Sequence, residues 1–435
     1  MISTKVLSFL SKKKNYGLGK LPSFASSPPK SNGFDLAVLR FVKRTERLII
    51  VFQLDFNGRS QSNSSGVNTF GYRRYKWMDW FITINFLIYL IRFGAVSLST
   101  SDSVAFCLGD ILFRSKDRQI LSMYSTISLT IMFIFREWIL NLNAKGRFEI
   151  LSAWRVCFNG FDPINLQMNS IVAKRLRFTI FLHSIIAHNV MLSVPIFATC
   201  LFLVPLLSNP WTYEIPELAF FGLFWSIPSI FLYTFLLNTA TGFAWYNVCS
   251  ICFHLFRLYD LVHSADYLNH WPADEKQLRS FCVSIIRHLN NFEVLSHKFR
   301  YLQLSYFLVF AVAADFDLFL GIIVKIYSDF FANLFAILGF FILLGCGIFG
   351  LIFGNFISQL DKLTVKLHQI SMKSKLRIRT ANKVLEIMDR AAGPYNGLKV
   401  GDVVTLEKSF FILFILENIS TLMLFICTLG PLIEE

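Results

Sequence analysis

The sequence predicts an all-α polytopic membrane protein with seven transmembrane helices, its N-terminus cytoplasmic and its C-terminus extracellular. Three observations predict it. Charged residues make up 16% of the 435 and hydrophobic ones 54%, with 48 Phe and a mean hydropathy of +0.52. A water-facing surface usually needs about 25% charged residues, so this much apolar side chain requires lipid to cover it. Seven sparsely charged runs each approach the roughly 20 apolar residues that cross a hydrocarbon core of about 30 Å. Finally, 36 of the 42 Lys and Arg fall in the N-terminal region and the second, fourth and sixth loops, and four fall at the opposite helix ends. Short loops rich in Lys and Arg stay in the cytosol, so the asymmetry sets the orientation.

Residues 1–76 form a basic cytoplasmic region with 14 Lys and Arg. Its apolar run 6–10 is too short for a signal peptide and precedes Lys12, Lys13 and Lys14 instead of following them. The stretch 48–55 (LIIVFQLD) is too short to span and follows Lys43, Arg44 and Arg47, which reads as an amphipathic helix at the interface or in the cytosol. Asn63-Ser64-Ser65 is a glycosylation acceptor that a cytoplasmic location leaves unmodified.

The first four spans, 77–98, 120–140, 178–207 and 218–247, make up a block over 77–247. The second is the weakest, because Arg136 and Glu137 sit near its end. Residues 248–303 read as a cytoplasmic helical loop, since the fourth span's apolar spacing continues through Leu255, Leu258 and Val262. The fifth and sixth spans, 304–325 and 331–356, occupy 304–356. After them, Leu360, Leu363, Leu367 and Ile370 recur at spacings of three and four, so the sixth helix continues into the cytosol with an apolar stripe that needs a partner. Val384, Leu385 and Met388 extend the helical pattern until Gly393-Pro394 stops it, within a cytoplasmic anchor segment over 357–408. The last span is 409–431. The outer loops leave no room for an external domain, so an external ligand must bind among the helices in the outer half of the membrane.

Other function classes fall away on residue type and context. The net charge of +14 suggests nucleic acid, but the aromatic, apolar composition argues against it and for a basic membrane flank. Eight scattered Cys imply no disulfide framework. Gly345-Cys346-Gly347-Ile348-Phe349-Gly350 matches GxGxxG, but it lies inside an apolar span with no strand before it; close helix packing explains it, as it does Gly350 and Gly354. Cys249 and Cys252 form a single CxxC without a second pair. The sequence holds no nucleophile elbow, P-loop or HExxH, and no catalytic residue, metal or cofactor is expected.

Seven spans, the inverted topology, long cytoplasmic extensions of the fourth and sixth helices and a short apolar C-terminus resemble the invertebrate gustatory and odorant receptor superfamily. That family carries Thr-Tyr, five hydrophobic residues and Gln-Phe near the end of its last span. Here Thr421-Leu422, then 423–427, then Thr428-Leu429 falls in that register, with Leu422 in place of Tyr and Thr428-Leu429 in place of Gln-Phe. The resemblance, to a divergent gustatory-type receptor, covers the chain through its architecture. It implies a ligand-gated cation channel in the plasma membrane, a homo- or hetero-tetramer whose subunits each give the last helix to a central pore and meet through the cytoplasmic bundle. The stimulus would be a small molecule, a tastant or odorant, or light. A G-protein-coupled chemoreceptor is the first rival and needs the opposite topology; a secondary transporter is the second and needs an internal repeat, which is not seen.

At 100° per residue, Phe410, Leu413, Glu417, Thr421, Leu424 and Thr428 share about 80° of the last helix and form a mixed face suited to line a pore. Four copies of Glu417 around an axis would attract cations, and the alternative is a hydrogen bond between helices. Asp315 and Asp317 lie near mid-depth in the fifth span, where a charge costs about 2.5–3.5 kcal/mol by insertion scales. They point to opposite sides, and Arg92 or His188 could compensate one of them. His188, Asn189, Trp225 and Tyr233, with His183 and Asn238, place polar and aromatic groups in the third and fourth spans, as a small-molecule pocket requires; each also fits a packing role. His183 and His188, five residues apart, do not suit one metal.

Overall fold

The computed structural model describes residues 33–434 apart from 53, 55–75, 100, 117, 146, 271–274, 374–375, 394–396 and 403. The apolar run 6–10 and the acceptor Asn63-Ser64-Ser65 lie outside the described residues. Among the described residues seven helices are long and apolar enough to cross a membrane. In chain order they are α2 (Lys76–Leu98), α4 (Arg118–Ala144), α6 (Ser170–Ser208), α8 (Pro216–His270), α9 (Glu275–Leu318), α10 (Asp329–Lys373) and α12 (Phe410–Glu434). Before and between them come α1 (Gly33–Val51), the short α3 (Asp102–Cys107), α5 (Pro163–Leu166) and α7 (Trp211–Glu214), a 3-10 segment (Arg147–Asn159) and α11 (Ile378–Ala392). A two-residue hairpin pairs β1 (Lys399–Val400) with β2 (Val404–Thr405), antiparallel.

All seven apolar runs become helices, and four of these run well past the hydrocarbon length. At 1.5 Å per residue the 55-residue α8 is about 82 Å long, more than twice a bilayer core. The extensions pack on one another at the basic end of the bundle, where α9 meets α10 and α10 meets α8. The stripe Leu360, Leu363, Leu367 and Ile370 finds its partner there and is at most 1% exposed. Helix α6 is fastened to this bundle by its cap. Asn169 accepts the backbone N–H of Ile171 (3.1 Å), while its own N–H donates to Asp260 on the α8 extension (2.7 Å).

Three sequence expectations change in detail. The segment 48–55 is not a separate helix: α1 begins at Gly33 and ends at Val51, so 48–51 is its last turn. Its apolar side, Val38, Val42 and Ile49, is fully buried against α6 and α8, because a helix of this length gains more by covering apolar neighbours than by lying free. The helix that follows the sixth span stops at Lys373, and α11 turns back onto α9 and α10. Its buried side is Val384 and Ile387, while Leu385 is exposed. Third, the second span is the least apolar of the seven, as expected, with a mean hydropathy of 1.2, but Arg136 within it is compensated: its guanidinium reaches Asp79 at the start of α2 (2.8 Å) and also pairs with Glu137.

Among the described residues two large apolar cores result, with a small third one of Ala105, Phe113 and Leu218. One fills the basic end around Trp154, Trp245 and Tyr246, where the Trp245 indole N–H donates to Ser184 (3.1 Å). The other fills the opposite half around Tyr89, Phe202, Tyr233, Phe319 and Phe335. Within the first, beyond the membrane-spanning part of α8, His254 and His288 face each other with ring centroids 5.5 Å apart, enclosed by Phe292 and Phe356. Burial pushes His254 down to about 4 and His288 well below its ordinary value, with Arg257 adding to the second shift. Both bind fewer protons folded than unfolded, so their neutral forms contribute fully above the usual histidine value near 6.5 and stability falls as pH drops through it. The thermal midpoint is therefore expected to fall between pH 7 and pH 5, and His254→Phe to flatten that slope. An unchanged slope in the variant would refute the assignment.

Candidate functional site

Away from the basic end, four membrane helices bring hydroxyls and one carboxylate together among aromatic rings. Tyr124 on α4 donates to the Asp317 carboxylate on α9 through a short hydrogen bond. Its ring stacks on Phe316 (5.1 Å) and meets the edge of Phe335 on α10 (5.9 Å). Tyr233 on α8 meets Tyr89 on α2 (6.4 Å) and Phe202 on α6 (5.3 Å), with Ser125 and Ser128 of α4 beside its hydroxyl. The Tyr89 hydroxyl is buried and makes no well-formed hydrogen bond among the described residues. An aromatic body with a hydroxyl that lacks a full complement of partners suits a small amphipathic molecule, which can offer a ring to the walls and a polar group to the centre.

The sequence-selected pocket residues are divided by this arrangement. Tyr233 and Asp317 share the cluster. His188 does not: it packs edge-on against Phe41 of α1 (5.3 Å), and Asn189 is exposed on the outside of α6. Trp225 stands in the N-terminal part of α8, where its indole N–H donates to the Cys107 carbonyl (3.4 Å) and its ring lies beside Arg92 (5.5 Å). Arg92 compensates neither Asp315 nor Asp317. It donates to the carbonyls of Leu108 (2.7 Å) and Gly109 (2.8 Å), tying α2 to the connection before α4. Asp315 is buried, and its Oδ1 has no hydrogen-bond partner among the described residues. His183 is half-buried, with its Nε2 lacking a partner among the described residues, and Asn238 donates to the Met191 carbonyl (3.4 Å). Tyr89 and Tyr124 escaped the sequence reading. The only signal they offered was a phenolic hydroxyl at membrane depth, which needs a partner and therefore a protein-facing position.

The last helix packs on α9 and α10 along one side. Gly347, Gly350 and Gly354 of α10 face Phe411, Phe410 and the backbone of Glu407 and Lys408 so closely that a Cβ at Gly354 would sit 2.5 Å from the Glu407 carbonyl carbon. Helix packing is thus what Gly347, Gly350 and Gly354 do, whereas Gly345 faces open space. Phe414 and Asn418 are buried on this side, and Phe410 is half-buried against Phe307 (5.2 Å). Leu413, Glu417, Leu424 and Thr428 are exposed on the other, together with Ser420, and Thr421 lies half-buried at the border. The share of α12 that the rest of the chain covers is the smallest of the seven spans, 11% against 22–39%. A membrane helix that leaves Glu417 uncovered presents it to protein or water, since lipid cannot solvate a carboxylate, whereas the Ser420 hydroxyl donates to the Leu416 carbonyl of its own helix (3.0 Å).

No family model and no curated protein matches the sequence. Among solved structures, the insect olfactory receptor OR5 from Machilis hrabei, in complex with eugenol, superposes with a TM-score of 0.58 over 89% of this chain and 98% of that one, at 12% identity. The chain has the fold of this insect olfactory receptor. At 12% identity the likeness speaks for architecture, seven helices with long extensions at one end, and the sequence-level architecture had pointed the same way.

Proposed function

We propose that the chain is a subunit of a chemosensory, gustatory-type ligand-gated cation channel of the plasma membrane, assembled as a tetramer around α12. The observation that carries this reading is the uncovered polar face of α12, set on a fold shared with an insect olfactory receptor. Four copies of that face closing on an axis would bury it and align Glu417 into an acidic ring. The ligand site is the cluster of Tyr89, Tyr124, Tyr233 and Asp317. Phe316, which stacks on Tyr124, also meets Phe425 of α12 edge-on (5.9 Å), so a ligand that shifts Tyr124 acts on the pore helix through one intervening ring. A ligand that binds the open arrangement better shifts the closed-to-open equilibrium by that difference in affinity.

Small aromatic molecules carrying one hydroxyl fit the chemistry of this cluster, and eugenol is the first probe because the structurally similar receptor binds it. In cells expressing the chain, Tyr124→Phe is expected to raise the half-maximal concentration of an activating ligand about tenfold, through loss of its buried hydrogen bond to Asp317, and Asp317→Asn, which keeps an acceptor oxygen, is expected to raise it by less. Reversal potential should not move. Potency unchanged from that of the unsubstituted chain in both variants would place the ligand elsewhere.

Orientation separates the channel from its G-protein-coupled rival. With one tag at Met1 and another after Glu435, the channel reading expects only the C-terminal tag to be reached before permeabilisation. An exposed N-terminal tag would transfer the argument to G-protein coupling.

A further inference from the structure

Helix α1 carries a cationic stripe that none of the preceding roles uses. Arg40, Lys43, Arg44 and Arg47 are all exposed, and Arg40, Lys43 and Arg47 recur at three- and four-residue spacing along one face. Beside that stripe a cavity of about 520 Å³ is lined by Lys43, Glu46, Arg47 and Ile50 of α1 and by Arg155, Phe158 and Asn159 of the 3-10 segment. Its one carboxylate is already engaged. Glu46 is buried, pairs with Arg155 through a short contact and accepts the Tyr246 hydroxyl (2.8 Å). With Glu46 matched to Arg155, the charges of Lys43 and Arg47 are in excess among the described residues lining the cavity. In addition, the buried Nε of Arg155 has no hydrogen-bond partner among the described residues. Phe158 holds the two cations apart and in place, with Lys43 at 5.9 Å and Arg155 at 5.4 Å from its ring centre.

The depth of this cavity points to its occupant. Glu46 is level with Tyr246, one residue before the end of the apolar run 218–247, so the cations lie where hydrocarbon gives way to headgroups. The wall is mixed in the same order: Ile50, with the exposed Val51 next to it, continues from Arg47 toward the apolar side, and Lys43 and Arg40 lie on the polar side. A free anion would use only the charges, whereas an anionic lipid uses both parts.

We propose that this cavity binds the phosphorylated headgroup of an anionic membrane lipid, with Lys43 and Arg47 contacting the phosphate and the acyl chain running along Ile50. The lipid fixes α1 against the 3-10 segment, and through Glu46 and Tyr246 against α8. The proposal rests on the membrane placement of the basic end but not on channel activity, ligand identity or the side of the membrane.

The test uses the purified full chain in neutral detergent and a fluorescent phosphatidylinositol bisphosphate. Because a basic residue near an anionic surface contributes on the order of 1 kcal/mol, Lys43→Gln with Arg47→Gln is expected to weaken binding roughly thirty-fold. Both positions are exposed, so the folded yield should hold. Lys383→Gln with Arg279→Gln, on α11 and α9 away from α1, is the control and should leave affinity within about twofold. Soluble inositol phosphate should compete poorly, because it lacks the acyl chain. Equal weakening by both double substitutions, equal affinity for phosphatidylcholine, or full competition by the soluble headgroup at matched concentration would each overturn the proposal. Tagged-terminus accessibility reports separately on the functional reading, so one can fail without the other.

Discussion

Arg136→Leu is expected to leave little folded protein. The guanidinium is fully buried and lies 2.8 Å from Asp79, itself 7% exposed, so the substitution strips a cation from a carboxylate held at the membrane-embedded junction of α2 and α4. Breaking a buried ion pair from one side costs about 3–5 kcal/mol, because the remaining charge keeps its desolvation penalty and loses its compensation. That is a large share of the roughly 5–15 kcal/mol by which a domain is stable. Fluorescence-detected size exclusion of the detergent-extracted chain should show the monodisperse peak lost or greatly reduced. Arg136→Leu combined with Asp79→Leu removes both charges and should recover much of it, which gives the coupling between the two positions directly. If the single and double variants behave alike, the pair with Asp79 contributes nothing and Arg136 acts through its other contacts, Glu137 among them.

Glu417→Gln is expected to leave ligand potency unchanged and reduce the preference for cations. The side chain is exposed on the face of α12 that its own subunit does not cover, in line with Leu413, Leu424 and Thr428. In a fourfold assembly, four carboxylates replaced by four neutral amides of equal size remove the charge ring and keep the packing. The cation-over-anion permeability ratio should fall roughly threefold or more, read as a reversal potential that moves toward zero under a salt gradient. Thr421→Ala, at the border of the face, should have a much smaller effect. A reversal potential that stays where it was would remove Glu417 from the pore and leave it as a contact between helices.

The two variants test different levels of the molecule, and the sequence exposed them unequally. Glu417 was visible in the sequence as a carboxylate inside an apolar run, and the periodicity of α12 gave its neighbours on the face. Phe410 shows the limit of that reasoning: it shares the same arc, yet its ring is turned inward against Phe307 because Gly350 opens a space on α10. Asp317 was legible as an acid at membrane depth, but its partner is Tyr124, 193 residues away in sequence, and not Arg92. No local pattern encodes that pairing. Arg136 was read as a flaw in the second span for the same reason, since its compensating Asp79 belongs to a different helix.

By itself the sequence determined that seven apolar runs form helices long enough to cross a membrane, and that the sixth helix continues with an apolar stripe beyond its apolar run. Those properties follow from one-dimensional quantities: hydropathy over a bilayer's thickness and the 3.6-residue repeat of an amphipathic stripe. The basic asymmetry likewise supplies an expected orientation, which the tagged termini will test. Only the tertiary structure decided which polar residues share a site. It separated His188 and Asn189 from Tyr233, brought in Tyr89 and Tyr124, turned α11 back onto α10 and placed α1 where its cations face a cavity. The physical reason is that a buried charge or hydroxyl is satisfied by whichever group the packing of distant helices delivers within about 3 Å, and that delivery depends on crossing geometry and small-residue contacts that no single helix records.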